Sequence, residues 1–219
     1  MKMNNTVCRG LMAASLLFGI SFFNGCVTTA QDSSAEDWTY LYQPGEDLSL
    51  WKATEHPESI RLEDGNIVLN GERAHLFYMG QDGDASWKNF EAVIEFMTAE
   101  NANAGLFFHA DWQESGWPRA LECQINATHK DHRKTGSIYA LGDTSEPGHE
   151  DDEWVTMRLR VVGQTATVWV NGKQINQWTQ PEDHKLKKKR IREGTFALQA
   201  HDPGSVVKVR HLKVRRLPQ

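Results

Sequence analysis

Cysteine is nearly absent from this 219-residue chain, which has three. Cys8 and Cys26 lie in an N-terminal leader, so only Cys123 remains inside the body of the chain. A disulfide within one mature chain is thereby excluded, even in an oxidising compartment. Helix-period stretches are scarce as well, and short β-rich runs take their place. The chain also lacks an apolar run long enough for a membrane span. Leu11 to Phe23 has the length of a secretory h-region, well short of the ~20 residues a bilayer requires. Nor is there an excess of positive charge. The formal charge of -5 falls to about -7 once Lys2 and Arg9 leave with the leader. That mild acidity argues against nucleic acid as a partner.

What is present begins with an address. Lys2 and Arg9 precede the apolar run, which ends in Phe23-Asn24-Gly25-Cys26. This tetrad resembles a bacterial lipobox, in which the cysteine is lipidated and becomes the new N-terminus. Residues 1–26 are therefore expected to be a lipoprotein signal with lipidation at Cys26, and 27–37 a flexible tether rich in Thr, Ser and Ala. Ordinary secretion with cleavage near Gln31 is the plainer alternative. Either route takes the protein out of the cytoplasm. The expected location is the bacterial cell envelope, in the periplasm or at the surface, with membrane attachment through the lipid alone.

Residues 38–219 then suit a single domain with a sizeable core. Turn signals recur at intervals of roughly ten residues. Ile60 to Leu69 reads as a hairpin around Asp64-Gly65-Asn66. Further strands are expected at Phe90 to Met97, Ala104 to His109, Ala120 to Asn126 and Gly136 to Leu141. Trp154 to Val162 and Thr165 to Val170 flank the tight turn Gly163-Gln164, and Asn171-Gly172 leads into Lys173 to Trp178. Gly194 to His201 and Val206 to Val214 close the set. With no linker or repeat, regular strand spacing favours an all-β sandwich or jelly roll.

Two of these runs carry polar side chains where a strand should be apolar. Glu122 and Gln124 are two apart and project from one face of a strand, and Gln199 and His201 have the same relation on another. A carboxylate, two amides and an imidazole are costly to bury without partners. If the strands share a face, the four make a polar site. Cys123 falls on the opposite face and is expected to be a buried, inert thiol. The acidic loop 146–153 and the basic loop 185–192 read as solvated connections; the acidic one could help hold a cation, and the basic one could meet an anionic glycan or a lipid headgroup. His129, His132 and His149 lie in polar loops and read as solvated. Eight Trp, nine Phe and four Tyr supply faces that stack on sugar rings, although most are expected in the core.

The order and spacing of several segments resemble the 3-keto-disaccharide hydrolase family, also described as 3-keto-glucoside 1,2-lyase / 3-keto-2-hydroxyglucal hydratase. The resemblance runs from about Tyr40 to Leu217. It rests on Pro44-Gly45-Glu46-Asp47-Leu48 through Trp51, Asn89-Phe90-Glu91, Asn103-Ala104-Gly105-Leu106-Phe107-Phe108 and Leu121-Glu122-Cys123-Gln124-Ile125. It continues through Thr135-Gly136-Ser137-Ile138-Tyr139, Glu153-Trp154, Val170-Asn171-Gly172, Gly194 to His201, and Val209-Arg210-His211-Leu212. The family commonly has Asn-Ser-Gly at 103–105, Trp-Asn at 154–155 and Arg-Asn-Ile at 210–212. These departures leave Glu122, Gln124 and His201 intact.

The resemblance implies a concanavalin-like jelly-roll β-sandwich that acts on a sugar already oxidised to a ketone at C3. The ketone acidifies the C2 hydrogen, so a base can remove it and the C1 glycosidic oxygen can leave. Hydration of the resulting 2-hydroxyglucal completes net hydrolysis of a 3-keto-disaccharide or related glycoside. The chemistry needs a base, an acid and a stabiliser for the enolate oxygen. Glu122 and His201 are expected in the central roles, as base and acid or as ligands of a divalent metal, with His109 as a third catalytic candidate. Gln124, Gln199, Arg119 and Tyr139 would bind substrate. No cofactor is required with certainty; a divalent cation is the one candidate. The leading rival is a non-catalytic, lectin-like carbohydrate-binding module, since fold alone does not choose between them. A conventional retaining glycosidase would want two carboxylates about 5.5 Å apart, and Gln124 stands where the second would be.

Overall fold

The computed structural model describes residues 38–82 and 85–218. The expected signal, the tether and Cys26 lie outside the described residues. Thirteen strands are present among them, all paired antiparallel, with one short 3-10 turn at Pro57–Ser59. No helix among the described residues is long and apolar enough to cross a membrane.

The strands form the two sheets of a sandwich. The larger contains β3 (Ile60–Glu63), β4 (Asn66–Leu69), β6 (Phe90–Thr98), β9 (Val155–Val162), β10 (Thr165–Val170), β11 (Lys173–Thr179) and β13 (Val207–Arg216), in the order β11-β10-β9-β6-β13-β4-β3. β1 (Thr39–Tyr42) also pairs with β13. The smaller sheet runs β2-β5-β12-β7-β8, from β2 (Trp51–Ala53), β5 (Ala74–Tyr78), β12 (Thr195–Ala200), β7 (Ala104–Ala110) and β8 (Leu121–Ile125). The expected hairpins are there for the expected reason. Asp64 and Gly65, and again Asn171 and Gly172, take positive φ, the backbone sense that a tight two-residue turn requires.

Alternation fills the core between the sheets. Phe90, Ala92, Ile94 and Phe96 of β6 point inward, while Glu91 and Glu95 point outward to arginines. On the smaller sheet Leu76, Leu106, Leu121, Cys123, Phe196 and Leu198 join the same core. Cys123 is thus buried as expected, and burial pushes its thiol pKa upward. The alternate residues of the smaller sheet face outward, where Phe77, Phe107 and Ala197 make a second apolar cluster. That outer face carries the site.

Several local expectations are corrected. Residues 136–141 form no strand, only isolated bridges from Ile138 to Cys123 and Gly142. Strands β1, β2 and β5 are additional to those expected. Trp51–Ala53 is too short to show a period, and all of Ala74–Tyr78 is buried, which erases alternation.

A candidate active site on the outer face of the smaller sheet

β8 presents Glu122 and Gln124 on the outer face, with Leu121, Cys123 and Ile125 turned inward. On β12 Gln199 projects the same way, and His201 follows just beyond the strand end. The two expected pairs therefore do share one face. They line a cavity of about 340 Å³ with Asn103, Phe107, Trp117, Pro118, Tyr139 and Lys189. That volume lies in the ordinary range for small-molecule sites.

Glu122 is 8% exposed and has neither hydrogen bond nor ion pair among the described residues. Burial pushes its pKa up to about 8, with Asp131 adding to the effect while Lys189 and Arg133 draw it back. Glu91 is the useful comparison. It is equally buried, at 5%, but its carboxylate accepts a hydrogen bond from Arg215 at 3.0 Å and has Arg158 at 3.8 Å. A scaffold carboxylate is neutralised by partners. Glu122 is left without them, and it faces a cavity.

The amides repeat this pattern. Neither side-chain polar atom of Gln199 has a partner, although the residue is 1% exposed. Gln124 donates to Asn103 at 2.7 Å and keeps its Oε1 unpaired. Buried orphans of this kind are rare in scaffolds and are what a bound polyol would satisfy. β5 adds a residue that sequence reasoning missed. His75 pairs in register with Gln199, is fully buried, and has no hydrogen bond at either ring nitrogen. Burial pushes its pKa down to about 4, so the ring is neutral. It packs edge-on against Phe107 and Trp117. The uniform burial of β5 hid the one available signal, an imidazole within an apolar run.

His201 is half-buried and bonded through Nδ1 to Oδ2 of Asp202 at 2.6 Å. Asp202 also accepts from the Ser205 hydroxyl and the Gly204 amide. Partial burial raises the Asp202 pKa, but the bonds from His201, Ser205 and Gly204 outweigh it and hold the carboxyl below its usual range. An ionised carboxylate on Nδ1 fixes the tautomer and leaves the lone pair of the neutral ring on Nε2. His129 lies beside this dyad, 5.9 Å from the His201 ring and 3.3 Å from the Asn103 amide, so it is not the merely solvated residue expected. His149 is likewise held, between Thr135 and the Glu150 carbonyl, whereas His132 is exposed.

Three expected members fare differently. Tyr139 lines the cavity, its hydroxyl donating to Asp131 at 3.2 Å and its ring lying under Arg133 and Lys189. Arg119 does not line it; it belongs to a neighbouring hollow. His109 is a correction. Strict alternation would put it outward with Gly105 and Phe107. The pairing of β7 with β12 slips there, and His109 takes φ +55, which turns its ring inward against Phe90 and Phe108. Its Nδ1 accepts from the Arg192 amide and its Nε2 donates to the Lys88 carbonyl, so both nitrogens are spent on the scaffold.

Most of the basic loop is exposed as expected, at 185–188 and 190, but two of its cations are engaged. Lys189 reaches the cavity wall, and Arg192 donates to the carbonyls of His109 and Arg119 and pairs with Asp111. As a cation site the cavity is thinly furnished. Zinc sites take three or more protein donors, whereas magnesium is held by as few as one or two carboxylates with water and substrate oxygens. Among the described residues no three His, Cys, Asp or Glu side chains gather in that way. Glu122 and His201 thus supply two donors at most, with the Lys189 ammonium on the same wall.

Solved structures share this architecture. A candidate glycosyl hydrolase from Parabacteroides distasonis superposes with a TM-score of 0.67 at 21% identity, covering 83% of this chain and 94% of its own. A second from the same organism gives 0.64 at 23% identity, covering 82% and 99%. The carbohydrate-binding module CBM66 from Bacillus subtilis gives 0.51 at 11% identity, covering 81% and 94%. At these identities the likeness establishes the jelly-roll fold alone. No curated protein matches the chain. Residues 37–215, most of the chain and all of the cavity lining, match one family throughout, and the chain belongs to the 3-keto-alpha-glucoside-1,2-lyase-like domain family.

Proposed function

We propose that the protein cleaves 3-keto-glycosides by elimination across C1–C2 followed by hydration. One observation carries the reading: a buried carboxyl without partners, Glu122, shares a cavity with an imidazole oriented by a carboxylate, His201 on Asp202. Burial keeps the Glu122 carboxyl protonated at neutral pH, while the Asp202 carboxylate on Nδ1 of His201 leaves the lone pair of the neutral ring on Nε2.

In the elimination half, Nε2 of His201 takes the C2 hydrogen as a proton. The C–H electrons move into the C3 carbonyl to give an enolate, whose collapse breaks the C1–O bond. Protonated Glu122 donates to the departing oxygen, leaving a carboxylate. The amide nitrogen of Gln199 and the Lys189 ammonium are the donors available to the enolate oxygen. In the hydration half, Glu122 carboxylate removes a proton from water as its oxygen bonds to C1 of the enone. The imidazolium of His201 returns a proton to C2. Both side chains regain their starting states, and the sum is hydrolysis. The orphaned oxygens of Gln124 and Gln199 accept from ring hydroxyls.

The test is the absorbance of the conjugated enone on mixing the protein with a 3-keto-glucoside. Transient enone followed by free 3-keto-glucose supports the proposal, and Glu122→Gln should slow it by ~10²–10⁴-fold. The same assay with a chelator addresses the divalent cation that the sequence left as a candidate, since loss of turnover would assign Glu122 and His201 to a metal. A second reading, carbohydrate binding without catalysis, draws on Trp117, 54% exposed beside the cavity as a stacking platform. Glycan binding with no turnover of any keto-sugar would establish it. Attachment to the cell envelope through lipid at Cys26 is proposed from the leader sequence alone, and radiolabelled fatty acid incorporation lost in Cys26→Ser tests it.

A further inference from the structure

Next to the cavity lies a second, wider hollow of about 660 Å³. Trp117, Pro118 and Lys189 line both, so the two are neighbouring compartments of one cleft with Trp117 between them. The loop that makes this partition is braced. Gln113 donates to the carbonyls of Ser115 and Trp117, and Glu55 accepts from the Gly116 amide while paired with Arg73. The Arg73 guanidinium lies 5.2 Å from the Trp117 ring. The wall is therefore held in place although its indole is largely exposed.

The charges of the second hollow are unbalanced. Arg119, Lys188 and Lys189 line it, and none of them has a carboxylate within ion-pair distance among the described residues. The one acid of the lining, Asp111, is neutralised by Arg192 at 2.5 Å. Three cations and no free anion thus face a space adjoining the reacting pair.

We infer that the second hollow receives the leaving group of the 3-keto-glycoside, and that it selects a leaving group bearing an anionic substituent such as a carboxylate, sulfate or phosphate. The inference rests on the proposed reaction for its placement, because a glycoside whose keto-sugar occupies the Glu122 cavity must direct its C1 substituent into an adjoining space. The selection for charge rests on the three cations alone. Trp117 would meet the apolar face of the ring on either side, and Arg119 has the planar fork suited to a carboxylate or phosphate.

The experiment has a kinetic and a binding arm, both on the full-length chain. In the first, 3-keto-glucosides of glucose, glucuronate, glucose 6-sulfate and glucose 6-phosphate are compared. The anionic substrates should show kcat/KM about ten-fold higher than the neutral one, as expected for two or three partly exposed ion pairs. The advantage should shrink with added salt and in Arg119→Gln/Lys188→Gln, and the order among the three anions identifies the group. In the second arm, calorimetry measures glucuronate and glucose themselves. Glucuronate should bind measurably tighter, and the double variant should erase the difference. Equal kcat/KM for neutral and anionic substrates, or equal binding of glucose and glucuronate, overturns the inference while leaving the reaction standing. If no keto-glucoside turns over yet glucuronate binding retains its dependence on Arg119 and Lys188, the reaction fails and the anion-selective hollow stands.

Discussion

The Glu122 side chain lies directly over Gly105 of the adjacent strand: a Cβ at residue 105 would stand 2.6 Å from Glu122 Oε1 and 2.8 Å from its Cγ. Gly105 has an ordinary extended backbone, so conformational freedom is not the reason for glycine here. The absent side chain is. Gly105 pairs in register with Gln124, and Glu122 fills the gap that its missing side chain leaves on the outer face.

Gly105→Ala should therefore fold normally and work poorly. A glycine inside a strand is less stable than alanine by roughly 0.5–1 kcal/mol, which offsets part of the crowding. Glu122 must swing aside, and a displacement of about 1 Å costs on the order of 10²-fold in kcat. Circular dichroism together with keto-glucoside kinetics checks this. Unaltered kcat would show that the position of Glu122 over the glycine has no bearing on the reaction.

Glu122→Gln should lose turnover by ~10²–10⁴-fold, the usual worth of a positioned acid–base group. It should also change stability in a pH-dependent way. The carboxyl has an ordinary pKa of 4.5 and a folded value of about 8. Between those limits the unfolded chain has lost a proton that the folded chain keeps, so unfolding releases it and rising pH favours unfolding. The stability tied to the neutral carboxyl is complete below about pH 4.5 and lost by about pH 8. The melting temperature of Glu122→Gln relative to wild type should climb across that window and then level. A constant difference would place the Glu122 pKa at its ordinary value.

In the proposed reaction the same proton governs the rate. If Glu122 acts first as an acid, elimination should fall on the alkaline side of about pH 8. Lys189 pulls the Glu122 pKa down, so Lys189→Gln should move that falling limb to higher pH while lowering kcat by the loss of one donor. A limb that stays in place would detach it from Glu122.

Asp202→Asn should cost about 10²-fold or more in kcat with little change in KM. The amide can present its NH₂ to Nδ1 and stabilise the wrong tautomer, which removes the lone pair from Nε2. Imidazole proton resonances in NMR spectra report the tautomer directly. An unperturbed rate would mean that His201 acts without orientation by Asp202.

Much of the fold and half of the site were legible in the residues. Tight turns at 64–65 and 171–172 depend on local backbone chemistry, so they need no tertiary knowledge. Glu122, Gln124 and Gln199 were visible because polar side chains interrupt apolar strands at a spacing of two. His75 was hidden by a strand buried on both faces. His109 was misplaced because a bulge inverts alternation, and nothing local to Phe107-Phe108-His109 announces one. Asp202 stood next to His201 in plain sight, but a carboxylate beside a histidine gains a role only from the turn that folds it back.

The sequence by itself determined an antiparallel β-sandwich, a thiol buried without a disulfide partner, and two polar pairs each on one strand face. These follow from period-2 geometry and from the count of cysteines, both local properties. Only the tertiary structure decided that β12 and β8 flank β7, bringing Gln199 and Glu122 to the same outer face with Gly105 between their strands. It also decided that Lys189, from a loop far along the chain, would reach the cavity wall. The reason is physical: register and sheet order are set by which faces many strands can bury together. A carboxylate acquires its pKa from the neighbours that this packing supplies or withholds.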